Sequence, residues 1–313
     1  MEAPRIPINE KERLETLLRL KILDTPSEDR YDRYTRICTR LFDTPIAVIS
    51  LVDKYRQWFK STCGIDAKET SRKFSFCAHA ILDDDILEVP DALLDGRFRD
   101  NPLVTDMPNI RFYAGAPLKT PNGHNIGTLC IIDKTPRQLN EDQKVMLRNL
   151  ADMVVDDIVR YVDLSTGLDN RVALINAGNY AFGRARPDKR FYLTLLDMSA
   201  VIETQENAEA KNAWRDKFVA QMQDLFAHAV SIAHLGDDHY CILHEQHHAL
   251  CDIETLHHIF AHTDLRLQSE PVYVDRIPLQ ASEFVAMEDL LRRVDALFFA
   301  DKRNLLPKID KRH

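Results

Sequence analysis

Two domains of mixed helix and strand, of the α/β (α+β) class, are what the sequence predicts, and three observations predict it. The chain has 313 residues, about twice the usual length of one domain. Short β-branched runs alternate with helical periodicities through both halves, the pattern of sheets covered by helices. An apolar fraction of 45% with a charged fraction of 29% supplies a core to each half and excludes wholesale disorder.

The elements follow in order. Residues 9–22 open at Asn9, a helix cap by residue type, and place Leu14, Leu17, Leu18 and Ile22 on one stripe. A second amphipathic helix is predicted from Glu28 to Leu41, after Pro26. The run from Pro45 to Asp53 is short and β-branched and reads as a central strand; Gln57 to Lys60 reads as an aromatic one. A helix around Cys77 to Leu82 precedes strands at 87–89 and 111–118. Asn122-Gly123 signals a hairpin, with Ile126 to Asp133 as its returning strand. A long helix is predicted over 140–161, since Val145, Leu147, Leu150, Met153, Val154, Ile158 and Tyr161 recur at steps of three and four. Such a helix either joins two domains and pairs with a copy of itself, or covers the first sheet.

The second half begins at Asp163 to Arg171, with a helix to Arg184 and a strand over 190–196. A polar helix is predicted over 206–228, then a hairpin of 230–234 and 240–243 around Gly236-Asp237-Asp238. Helices over 253–262 and 286–299 enclose a strand near 271–277.

Composition limits the function. Forty-one Lys and Arg against 49 Asp and Glu leave a net charge of -8, so no nucleic-acid partner is expected. No apolar run approaches the length of a membrane span, and the first nine residues lack the apolar centre of a signal peptide. The six cysteines contain no CxxC pair and read as reduced thiols, so a cytoplasmic location is expected. Glycine is scarce, with nine in all, and Gly236 alone follows Gly183.

The first half resembles a GAF domain. The resemblance is carried by Ile46 to Asp53, Gln57 to Ser61, Ser75-Phe76-Cys77-Ala78-His79-Ala80-Ile81, Phe112-Tyr113-Ala114-Gly115-Ala116-Pro117-Leu118 and Gly127 to Asp133. It covers roughly residues 10–160, with the sensor domain placed at 10–139 and a connecting signalling helix at 140–162. It implies a central antiparallel sheet with helices on one side, a small-molecule pocket on the other, and a sensing role. Polar or aromatic residues set among apolar strands are the pocket candidates: Trp58, Phe59, Phe76, Cys77, His79, Arg111, Tyr113 and Asp133. Cys77 and His79 also raise thiol–imidazole chemistry, but residues two apart on a helix point away from each other.

The second half, 163–305, resembles a GGDEF domain, the diguanylate cyclase module. Asp163-Leu164-Ser165-Thr166-Gly167-Leu168-Asp169-Asn170-Arg171 is similar to the family's opening DxLTGLxNR. Leu290 to Lys302 is similar to its closing helix with one residue deleted. The resemblance implies a mixed sheet with helical cover and a reaction that condenses two GTP with two metal ions. The signature hairpin aligns with Gly236, Asp237, Asp238, His239 and Tyr240, so the second glycine is an aspartate and the glutamate is a histidine. Asp197 and Asp238 match the metal-binding carboxylates, and magnesium is the one cofactor they would hold. The phosphate-contacting lysine is Ile202 and the guanine-reading asparagine is Gln205. The GHxxGD stretch is replaced at Glu209, Ala210, Ala213 and Trp214, and the product-inhibition RxxD by Ala227 and Val230.

Nine of the 12 histidines lie between His228 and His262. His244-Glu245-Gln246-His247-His248 satisfies HExxH, but that chemistry needs a helix and the run continues a strand. His258 and His262 have the spacing of a helical metal pair. The sequence therefore predicts a cytoplasmic, homodimeric signalling protein: a ligand-binding GAF sensor controls a catalytically inactive GGDEF-like domain that acts on a protein partner. The alternative is a weak diguanylate cyclase using Asp197 and Asp238.

Overall fold

The computed structural model describes residues 1–245, 273–280 and 286–299. The chain divides into two compact units, Met1–Val159 and Arg160–His313.

The first unit is built on a six-stranded sheet in the order β3-β2-β1-β6-β5-β4. Its strands are β1 (Ile46–Val52), β2 (Arg56–Cys63), β3 (Glu69–Ser71), β4 (Leu87–Val89), β5 (Phe112–Lys119) and β6 (Asn125–Asp133), and every neighbouring pair is antiparallel. β1 is buried at all seven positions and pairs with β2 on one side and β6 on the other. Its residues alternate between faces. Ile46, Val48 and Val52 join one core with the short helix α3 (Phe76–Ala80).

Helices α1 (Glu10–Arg19), α2 (Asp29–Leu41) and α5 (Glu141–Val159) pack against β6, β1–β2 and β5–β6 respectively. α5 buries Leu147, Ala151, Val154, Val155 and Ile158, and Tyr34 on α2 donates to Asp157 Oδ2 at 2.8 Å. The expected connecting helix is thus part of the first unit, covering its sheet and ending at Val159, because its apolar stripe is spent on β5 and β6. Asn9 precedes α1 as expected, but its amide contacts His124 Nδ1 at 3.2 Å instead of capping the helix. Sequence reading missed β3 and α4 (Pro102–Thr105), three and four residues long, too short to show a period.

The second unit holds a four-stranded sheet among the described residues, ordered β10-β7-β9-β8: β7 (Arg190–Asp197), β8 (Ser231–Gly236), β9 (His239–Glu245) and β10 (Tyr273–Gln280). The expected sheet was mixed. The described strands all pair antiparallel, and the parallel contact among them is the isolated Asp169–Ala233 bridge. A two-residue turn joins β8 to β9, and such a turn permits only antiparallel pairing. Helices α6 (Arg171–Arg184), α7 (Ser199–Glu203), α8 (Ala208–Leu225) and α9 (Met287–Phe299) complete it. The predicted helix over 206–228 is α8, which Asn207 caps by accepting from Ala210 N at 2.9 Å; the five-residue α7 before it is a further helix. The helix expected at 253–262 and the end of the closing helix, Asp301 and Lys302, lie outside the described residues.

The stretch 163–171 is a structural clamp. Asp163 Oδ1 accepts from Thr166 N at 2.9 Å and Ser165 N at 3.1 Å, and Gly167 takes the left-handed conformation with φ 70. Arg171 forms a two-pronged ion pair with Asp295 on α9, which joins the two motifs that open and close the unit.

Strand β6 approaches β1 so closely at Gly127 that a Cβ there would stand 2.0 Å from Ser50 O. Gly127→Ala is expected to lower first-unit stability by about 3 kcal/mol or more, as other clashes in a packed core do. Urea unfolding checks this, and an unchanged midpoint would contradict the close pairing.

Candidate functional site

A cavity of about 450 Å³ lies on the α3 side of the first sheet. Strand alternation aims Val48, Tyr113, Cys130 and Ile132 from β1, β5 and β6 into it, and α3 adds Phe76 and Cys77. Ser75 sets α3 in place: its Oγ caps the helix by accepting from Ala78 N at 2.9 Å and also donates to Gln57 Oε1. The walls are mostly apolar, with Gln57, Thr70, the charged Asp66 and Lys134 and the thiols as polar points, the composition of a small-molecule site.

Of the eight pocket candidates, Phe59, Phe76, Cys77 and Tyr113 line this cavity, and four do not. Trp58 faces a separate open groove of about 830 Å³, which Phe59 also borders. His79 Nε2 stands 3.2 Å from Glu2 O, its ring edge-on to Phe98, and burial lowers its pKa. Arg111 Nη1 donates to Val104 O at 2.9 Å and Ile110 O at 3.0 Å, which holds the α4 segment. Asp133 accepts from Thr135 N at 3.1 Å and pairs with Arg137 Nε at 2.5 Å. Cys77 and His79 point apart, as residues two apart on a helix must.

The thiol that Cys77 meets is Cys130, with the sulfurs 4.0 Å apart. Sequence reading missed Cys130, although it lies two positions before Ile132 on β6 and so shares its face. Tyr113 Oη and Thr128 Oγ1 are also buried here without a hydrogen bond of normal geometry, and both lie near the Cys77 sulfur. Burial raises the Cys77 thiol, but the Cys130 thiol and the nearby Thr128, Tyr113 and Ser50 hydroxyls outweigh it and hold Cys77 below the usual thiol range. The contact with Cys77, followed by burial, pushes Cys130 well up.

In the second unit the hairpin between β8 and β9 turns through residues in the left-handed region. Gly236, Asp237 and Asp238 all have positive φ, at 98, 48 and 59, and aspartate tolerates that region. The carboxylates are engaged. Asp238 receives a bidentate pair from Arg215 on α8, Nε to Oδ1 at 2.6 Å and Nη2 to Oδ2 at 2.9 Å. Asp197 accepts from Ser199 N at 3.0 Å and Ser199 Oγ at 2.5 Å, with His239 Nε2 at 3.5 Å. Burial raises Asp197, yet hydrogen bonds from His239 and Ser199 hold it well below the usual carboxylate range. Asp163 behaves alike, through His234, Ser165 and Thr166. Among the described residues no three His, Cys, Asp or Glu side chains stand together as metal ligands. With Asp238 already neutralised, the residues present do not fit a magnesium ion.

Ile202 and Trp214, where the resemblance expects a lysine and a phosphate-side motif, are 2% and 7% exposed and belong to the core. Gln205 donates to Val201 O at 3.3 Å, within its own turn. Tyr240 is fully buried, edge-on to Phe218. His244 and Glu245, which begin HExxH, stand on β9: His244 Nε2 contacts Thr194 Oγ1 at 2.9 Å, and Glu245 pairs with Lys189. The rest of that motif, with His258 and His262, lies outside the described residues.

The sequence profile of the GAF domain matches residues 26–158. This part of the chain is a GAF domain. A cyclic di-GMP phosphodiesterase of Pseudomonas aeruginosa is 44% identical over 180 residues, 56% of this chain and 31% of that protein. The chain therefore spans about a third of that relative's length. Solved structures with a similar fold include the GAF domain of a Coxiella burnetii phosphoenolpyruvate-protein phosphotransferase. It has 13% identity and a TM-score of 0.37 over 47% of this chain and 95% of that one. The GAF domain region of a Geobacter sulfurreducens membrane protein has 20% identity and a TM-score of 0.36 over 47% of this chain and 97% of that one. Among the described residues no helix is long and apolar enough to cross a membrane. The GAF domain thus carries the cavity.

Arg215→Met strips Asp238 of its cation and is expected to cost the second unit about 2 kcal/mol; adding Asp238→Asn recovers about half. Urea unfolding followed by Trp214 fluorescence, in a Trp58→Phe background, measures both. Folding depresses Asp197, so its contribution is complete above about pH 4 and is lost as the pH falls through the depressed value. Asp197→Asn should therefore trail the wild type at pH 7, with the gap closing below about pH 4. A gap independent of pH would count against the depressed Asp197 carboxyl.

Proposed function

We propose that this chain is a cyclic di-GMP signalling protein in which the GAF cavity senses a small molecule and the second unit is a GGDEF-like domain that has lost catalysis. In this reading the second unit acts by binding a protein partner. The observation that carries it is the Arg215–Asp238 pair. Phosphoryl condensation needs carboxylates free to hold metal ions against the triphosphate, and here the guanidinium satisfies one of them from within. The buried Ile202 and Trp214 support the same reading, and the similarity to the Pseudomonas cyclic di-GMP phosphodiesterase supports its signalling class. The weak-cyclase alternative would require Arg215 to leave Asp238. Pairing with a second copy is supported by α5, where Val145, Met146 and Met153 are 51%, 40% and 52% exposed.

The cavity's occupant is a small molecule whose apolar body meets the aromatic and aliphatic walls and whose polar groups are directed at Gln57, Asp66, Lys134 or the thiols. The ligand would also supply a partner to Tyr113 Oη.

Purified protein incubated with GTP and magnesium is expected to release no cyclic di-GMP, by chromatography of the products. Steady formation that disappears in Asp238→Ala would reverse the assignment. For the cavity, Leu103→Trp should leave the unit folded while cutting affinity at least tenfold for whatever small molecule native mass spectrometry finds retained. Equal retention by wild type and variant would place the ligand elsewhere.

A further inference from the structure

Two thiols face each other at the wall of the GAF cavity, and nothing in the sensing role explains them. Cys77 is on a one-turn helix and Cys130 on a strand, 53 positions apart in the chain, with their sulfurs 4.0 Å apart. Both are at the cavity wall, so a small oxidant that enters the cavity reaches them, although each is nearly closed to bulk solvent at 4% and 1% exposure. The bond they would form is ~2.05 Å long. About 2 Å of sulfur movement separates the two states, within the range of side-chain rotation and a small shift of α3.

We propose that Cys77 and Cys130 are a reversible redox pair, oxidised to a disulfide by hydrogen peroxide that enters the cavity. In the first step the Cys77 sulfur attacks one peroxide oxygen; the S–O bond forms, the O–O bond breaks, and water leaves, giving a sulfenic acid. In the second, the Cys130 sulfur attacks that sulfenic sulfur; the S–S bond forms, the S–O bond breaks, and a second water leaves. Two thiols and one hydrogen peroxide thus become one disulfide and two waters, and a dithiol reductant reverses the change. The hydroxyls of Thr128, Tyr113 and Ser50 around the first sulfur stabilise its thiolate, the form that attacks. Closure would draw α3 toward β6 and reshape the cavity wall, whichever molecule the cavity takes.

The test uses the full chain, reduced and then exposed to hydrogen peroxide, with peptide mapping under non-reducing conditions. A peptide pair joining the Cys77 segment to the Cys130 segment is expected, lighter by two hydrogens and split by dithiothreitol, and absent from Cys77→Ser and Cys130→Ser. Cys63, half-buried and close to Thr39, is the internal control. If peroxide modifies Cys63 while Cys77 and Cys130 stay as thiols, or if either joins a different cysteine, the proposal is overturned. The wild-type map alone decides this if a serine variant fails to fold.

Discussion

Everything in the GAF domain depends on β1 being buried on both faces at once. A strand with seven buried positions and a hydrogen-bonded neighbour on each side cannot meet water anywhere, so the chain must cover it twice. One cover is the helical layer of α2 and α5. The other is thinner, made of the single turn of α3, the four residues of α4 and the connecting loops. A thin cover of short elements packs less completely than long helices do, and the cavity lies on that side. A helix of α5's length there would have filled it.

The second unit puts its charged and aromatic side chains to structural use. Its hairpin turns through Gly236, Asp237 and Asp238 in the left-handed region, which aspartate can adopt and glycine adopts freely. The side chains around it are engaged in packing and pairing: Ile202 and Trp214 in the core, Arg215 on Asp238, Ser199 on Asp197. Packing asks for apolar volume and matched charge, whereas metal-assisted condensation asks for unmatched charge.

Much of this was legible beforehand. The β-branched run at 46–52, the Asn122-Gly123 turn and the stripe from Leu147 to Ile158 each announce an element through periodicity or turn chemistry, and the structure has all three. The losses are specific. β3, α4 and α7, three to five residues long, are too short to show a period. At the site, residue type alone placed Arg111, Asp133 and His79 in the pocket, whereas each is occupied with backbone or a neighbouring side chain. Which polar group lines a cavity and which braces a loop depends on tertiary direction. Alternation along β6 would have disclosed Cys130, since Ile132 shares its face. Arg215 had no such signal, because the hairpin it serves lies 23 positions away.

The Arg171–Asp295 pair spans 124 positions and joins the beginning of the second unit to its final described helix. A contact of such sequence separation closes late. On the ribosome, the 163–171 segment must therefore wait for nearly the whole unit to be synthesised before its arginine finds its acid. Any fragment ending before α9 would emerge with that guanidinium unmatched and with the apolar face that receives Leu290, Leu291 and Val294 uncovered. Such a fragment is sticky in the way that chaperones recognise, so α9 acts as the latch on the domain's assembly.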